Sequence, residues 1–193
     1  MSADPHAKLL PIDTAMYVRM HEADLFLDRR VELIDGQLIE MGPAGDPHFW
    51  ATAELGRHFT LALGALDEYR VAQQGGFAAA ATSLPDPDLV VIHLDHGRHV
   101  APGRDDSGPV FVAEVSATSL LWDLGRKRLL YARAGIPEYW VLDLEGERLV
   151  VHRDPVDGDY ATVTNHRRGE PVAPQDLPFV TAFDIAAAVD AVP

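Results

Sequence analysis

The sequence predicts an α/β fold with a central mixed β-sheet flanked by helices, and three observations carry the prediction. Continuous apolar runs of strand length recur through the chain, segments with helical spacing alternate with them, and Gly, Pro and Asp-Gly punctuate the joints. Size agrees: 193 residues suit one ordinary domain. We place that domain at 13–193, behind a loose leader at 1–12.

The elements follow in order. Asp13-Thr14 offers a cap for a first helix running to about Phe26. Val31 to Ile34, Asp35-Gly36 and Gln37 to Met41 read as a hairpin, because a type I′ turn needs positive φ at both central positions. A second helix runs from about Asp46 to Leu66, with Leu55, Phe59, Ala62 and Leu63 at helical spacing, and a strand over Tyr69 to Ala80 follows. Asp88 to His93 and Val110 to Val115 are apolar runs of the kind covered on both faces. Paired antiparallel, they bring Asp88 and Glu114 to the same end of the sheet. A helix from Ser119 to Ala134 is closed by Gly135 and Pro137. Glu138 to Asp143 and Arg148 to His152 are strands around a turn at Glu145-Gly146. One more strand (Tyr160 to Asn165), a proline-containing loop and a short helix at Asp184 to Val189 complete the chain.

Composition narrows the function. With no cysteine, disulfides and thiolate metal sites are excluded, which fits a reducing cytoplasm. Met1 to Leu10 lacks a basic segment followed by an apolar core, so no signal peptide is expected. No apolar run approaches the roughly 20 residues of a membrane helix, so the expectation is a soluble, cytoplasmic protein without a membrane partner. The net charge of −14 repels polyanions at long range and excludes a general nucleic-acid coat protein. A DNA partner would have to be met through a local basic patch.

On a helical wheel Leu120, Leu124, Leu130, Tyr131 and Ala134 form one apolar stripe, with Lys127 in its middle and Asp123 beside it. Arg126, Arg128 and Arg133 point elsewhere. A lysine on an apolar face needs an anion, and Glu114 and Asp88 are at hand; otherwise it snorkels to water or pairs with Asp123 one turn away. Two acids at one sheet end repel unless a cation neutralises them, and Mg²⁺ or Mn²⁺ does so with hard oxygen ligands. The bland alternative is an exposed Asp88 and a Glu114 that pairs with a lysine for structure alone. His93, Asp95, His96 and His99 also cluster, and we read them as solvated loop residues.

Pro87-Asp88 before an apolar strand, followed by Glu114-Val115-Ser116, resembles the bipartite signature of the PD-(D/E)XK nuclease superfamily. At the lysine position of that pattern this chain has Ser116, and Lys127 on the next helix supplies the cation instead. Glu32 to Gly36, His48, Asp123 with Lys127 and Tyr131, and Ala132 to Trp140 resemble the Uma-two family of restriction-endonuclease domains, from about Asp13 to the C-terminus. Ala117 departs from it, where relatives often carry a polar or acidic residue.

The resemblance implies a restriction-endonuclease-like fold and metal-dependent phosphodiester hydrolysis, and it speaks to fold more directly than to substrate. Asp88, Glu114 and the main-chain carbonyl of Val115 would be metal ligands, and Lys127 would orient the attacking water and stabilise phosphate charge. Glu32 would hold a second metal or a metal-bound water, or else be a surface acid of the hairpin. Ser116 would hydrogen-bond water or phosphate, Tyr131 would pack or bond beside Lys127, and Asp123 and His48 would support the site, His48 being otherwise solvated. The expectation is a Mg²⁺- or Mn²⁺-dependent nuclease acting on DNA. The alternatives are a non-catalytic binding or scaffolding module and a hydrolase of a smaller phosphodiester. A homodimer, with Tyr139-Trp140 or the hairpin supplying apolar contact, is the expected assembly.

Overall fold

The computed structural model describes residues 9–94 and 108–191. Asp95, His96 and His99 therefore lie outside the described residues, as do 1–8 of the expected leader. The chain divides into two compact units, Met1–Pro43 with Gly76–Asp86 and Ala44–Gly75 with Pro87–Pro193.

In the first unit, helix α1 (Thr14–Glu22) begins where Asp13 accepts a hydrogen bond from Met16 N at 2.7 Å. It stops short of Phe26, because Asp24 takes a left-handed conformation (φ 57°) and breaks the helical ladder. Strands β1 (Arg30–Ile34) and β2 (Gln37–Met41) form the expected antiparallel hairpin. Its turn residues Asp35 and Gly36 have φ of 48° and 74°, as a type I′ turn demands. Segment 76–86 docks on the hairpin, with Leu33 bridged to Leu84 and Gly36 N donating to Thr82 O at 2.7 Å.

The second unit is built on a six-stranded mixed sheet in the order β3-β4-β5-β6-β7-β8. These are β3 (Tyr69–Gln73), β4 (Leu89–His93), β5 (Gly108–Ser116), β6 (Glu138–Asp143), β7 (Arg148–Val156) and β8 (Asp159–Arg167). Every pairing is antiparallel except β5 with β6, and a parallel pair needs a crossover. The helical segment 120–133 is that crossover. The expected long strand at Tyr69 to Ala80 ends at Gln73, because Gln74 turns to positive φ (51°) before Gly75-Gly76. Pro109 faces Ile92 where the β4–β5 register slips, consistent with proline's missing donor.

Alternation along the strands gives the sheet two faces. One carries Leu89, Val91, Ala113, Val115, Trp140, Leu142, Leu149 and Val151. It packs against Ala51, Leu55, Phe59 and Leu63 of helix α2 (Asp46–Leu63) and against the C-terminal helix Ile185–Val189. Asp88, Glu114, Tyr139, Val141, Val150 and His152 occupy the opposite parity, and the Tyr131 ring of the crossover packs tilted against Tyr139 there, centroids 4.8 Å apart. Apolar strands covered on both sides thus read as continuous runs, and two acids are carried into the buried layer.

Candidate active site

Leu89 pairs with Ala113 across β4 and β5, so the next position in register sets Asp88 opposite Glu114. Both lie on the face covered by the crossover helix, and they are 3% and 4% exposed. An ionised carboxylate at that depth needs partners, and each has them. Asp88 Oδ2 accepts from Val115 N at 2.8 Å and lies 3.0 Å from His48 Nε2. Glu114 Oε1 accepts from Lys127 Nζ at 2.8 Å and from the Tyr131 hydroxyl at 2.7 Å. The exposed-strand-end reading of Asp88 and the snorkelling reading of Lys127 are both overturned, Lys127 being 1% exposed. Nor is His48 merely solvated: it continues the inward line of α2 through Thr52 and Leu55 and reaches Asp88. Tyr131 both packs in the core and donates to Glu114.

Lys127 sits at the end of a local distortion of the crossover. The crossover is α-helical at Leu120–Trp122 and Arg128–Arg133, but Asp123–Lys127 forms a π-turn. Inserting a wider turn shifts the helix phase, so Asp123 and Lys127 both face inward while Leu120 and Leu124 are only half-buried. A uniform wheel of 100° per residue had placed those two leucines in the buried stripe. The π-turn, frequent at functional sites, is what the sequence pattern could not display.

Asp123 is 1% exposed and accepts from the Ser119 hydroxyl at 2.5 Å, and Ser119 in turn lies 3.4 Å from the Ser116 hydroxyl. Burial pushes the Asp123 carboxyl above its ordinary range, against the opposing pull of Lys127 and of hydrogen bonds from Ser119 and Ser116, with Asp88 adding to the rise. Ser119 was not singled out from sequence; a serine four residues before a buried helical aspartate is the signal that points to it. Tyr139 completes this side by donating its hydroxyl to Asp123 O at 3.2 Å.

Val115 is placed by the same register. Its N–H points toward Asp88, and in an extended strand the carbonyl of a residue points to the same side as its N–H. The residue opposite is Pro87, which has no N–H to give that carbonyl. The proline before Asp88 therefore offers no ladder hydrogen bond to the Val115 carbonyl.

Glu32 belongs to the first unit. It is 2% exposed, not a surface acid, and lines a cavity of about 390 Å³ with Tyr17, His21, Arg29, Arg30 and Asp86. Burial, with Glu32 and Asp86 nearby, pushes the Tyr17 hydroxyl up to about 12, and that hydroxyl donates to Val31 O. Tyr139 and Trp140 are fully buried, so they cannot supply the apolar contact of a dimer. Arg128 pairs with Asp159 at 3.0 Å, and Arg126 lies over the Trp122 ring at 5.3 Å.

The family described as "Putative restriction endonuclease", Uma2, matches residues 16–186. The chain belongs to the Uma2 family. No curated protein matches it. Among solved structures it is similar to a protein of Anabaena variabilis titled a "putative nuclease belonging to DUF820". The two share 14% identity over 95% of this chain and 100% of that one, with a TM-score of 0.71. At that identity the likeness speaks for the fold, which is the restriction-endonuclease-like α/β arrangement.

The donors fit a hard divalent cation in a restricted sense. All the candidate ligands are oxygens, and Mg²⁺ characteristically takes one or two carboxylates, keeping several waters and adding substrate phosphates. Asp88 Oδ2 and Glu114 Oε1 are held by His48, Val115 N, Lys127 and Tyr131, the kind of outer partners that orient ligating carboxylates. Among the described residues no group of three or more His, Cys, Asp or Glu is arranged to hold a metal ion. A cation held by these two carboxylates would complete its shell with water and substrate phosphate.

Proposed function

We propose that this Uma2 protein is a divalent-metal-dependent nuclease that hydrolyses phosphodiester bonds in DNA, with Mg²⁺ or Mn²⁺ held by Asp88, Glu114 and the Val115 carbonyl. The observation that carries the reading is the buried Glu114–Lys127 pair beside Asp88. A structural ion pair is neutral by itself, whereas this one stands next to a second buried carboxylate whose Oδ1 has no hydrogen bond among the described residues. When bound, the metal supplies Lewis-acid stabilisation of the phosphate and lowers the pKa of a coordinated water.

The rest is done by the chain. Lys127 and Tyr131 fix one oxygen of Glu114, and the ammonium offers positive charge to a phosphate brought to the same place. His48 and Val115 N fix Asp88. Ser116 and Ser119 hold Asp123, and in this reading the Ser116 hydroxyl also hydrogen-bonds water or phosphate. The net charge of −14 favours a second reading, a binding module that kept the fold.

A labelled DNA strand incubated with Mg²⁺, Mn²⁺ or EDTA decides between them. Cleavage with either metal, absent in EDTA and in Glu114→Gln, is expected. Uncleaved DNA in every arm would leave the binding module or a hydrolase of a smaller phosphodiester.

A further inference from the structure

The first unit holds a cavity that the proposed chemistry leaves unused. It measures about 390 Å³, and every residue that lines it belongs to that unit. This is the size of a small-molecule site, which characteristically joins apolar walls to a few convergent polar groups. Here Val18, Leu84 and the Tyr17 ring supply apolar wall, while Glu32 and Asp86 supply carboxylates. Strand β1 carries Glu32 inward until it is 2% exposed. Both acids add to the rise of the Tyr17 hydroxyl, so they converge around that side of the cavity.

Charge selects the chemistry of the ligand. Glu22, Glu32 and Asp86 line the cavity against Arg29 and Arg30, and Arg29 is drawn toward Glu40 at 3.7 Å. Such an interior repels an anion and favours N–H donors. A metal ion fits poorly, because among the described residues no group of three or more His, Cys, Asp or Glu is arranged to hold one. A flat heterocycle suits both halves: its faces lie on the apolar wall and its donor edge meets a carboxylate. Of the DNA bases only guanine offers two adjacent N–H donors on its pairing edge, and these match the two oxygens of one carboxylate. We infer that the cavity is a guanine site in which Glu32 accepts from the pairing edge of an unpaired base. The nuclease reading supplies the source of that base, a substrate strand, but the binding does not depend on it.

The test is calorimetric titration, in EDTA, with the 5′-monophosphates of deoxyguanosine, deoxyinosine and deoxyadenosine, which share their phosphate and differ only in the base. The guanine nucleotide should bind. The inosine analogue, which lacks the N2 amino group, and the adenine nucleotide should each bind about ten-fold or more weakly, as expected when a bidentate pair is lost. Glu32→Gln keeps the shape of the side chain but turns one acceptor into a donor, and it should weaken the guanine nucleotide by about ten-fold or more. Val18→Trp, at an exposed helix position, should fill the cavity and abolish binding without touching the acids. Equal affinity for guanine and adenine, binding unaltered by either substitution, or no binding at all would overturn the guanine site. So would methylguanidinium competing as well as the guanine nucleotide, since the cavity would then serve a free cation. The titrations need no metal, so they are read whether or not the chain cuts DNA. Selective guanine binding with no cleavage under Mn²⁺ sinks the nuclease and keeps the site. Cleavage with no nucleotide binding does the reverse.

Discussion

Replacing Lys127 with methionine should destabilise the protein although it adds apolar surface to the core. Methionine fills nearly the volume of the lysine stem, so no large cavity opens, and the change is chiefly electrostatic. Glu114, 4% exposed, keeps its bond from Tyr131 but loses the ammonium 2.8 Å away. Removing one partner of a buried pair costs about 3–5 kcal/mol, most of it the burden of the charge left behind. In a chain of this size that corresponds to a fall in Tm of roughly 10 °C. Urea unfolding of wild type, Lys127→Met, Glu114→Gln and the double variant, all in EDTA, measures the coupling. The double variant should recover most of the loss, because neither charge then remains buried. A loss below about 1 kcal/mol in Lys127→Met, or a double variant no better than the single, would refute a desolvated pair.

Two further predictions concern pH and stability. Burial pushes the His152 imidazole down to about 4, against about 6.5 when unfolded, so the folded state holds it neutral. The associated stability is fully present above pH 6.5 and is lost as pH falls toward 4, a change of about 3 kcal/mol by linkage. Urea midpoints should therefore drop more steeply across that window in wild type than in His152→Gln. Asp123 has the opposite sign: its carboxyl is raised, so stability is lost as pH climbs from the ordinary carboxylate value through the raised one. Asp123→Asn should raise Tm at neutral pH, with the gain vanishing in acid, while lowering activity; a neutral-pH Tm at or below wild type would contradict this.

The hairpin was legible because Asp35-Gly36 dictates its own turn, and both residues adopt the required positive φ. The β4–β5 pairing was legible because two unbroken apolar runs admit few arrangements, and once paired they bring Asp88 and Glu114 together. The covering helix was only partly so. Its extent followed from Gly135 and Pro137, but the π-turn at Asp123–Lys127 has no periodic signature, and around it Leu120 is half-buried while Asp123 is buried. His48–Asp88 joins residues forty positions apart, a tertiary contact that no local pattern encodes. The Tyr139-Trp140 dimer contact failed for a related reason. A central strand in this sheet is covered on both faces, so its aromatic pair belongs to the core.

Titration of Mn²⁺ into metal-free protein by calorimetry tests the central claim most directly. Wild type should bind a metal ion. Asp88→Asn and Glu114→Gln should each lose that binding, while His48→Ala weakens it by roughly 10- to 100-fold, as loss of an orienting partner does. No heat of binding in wild type, or binding unchanged in both carboxylate variants, would contradict the claim that these two strand ends were built to hold a metal.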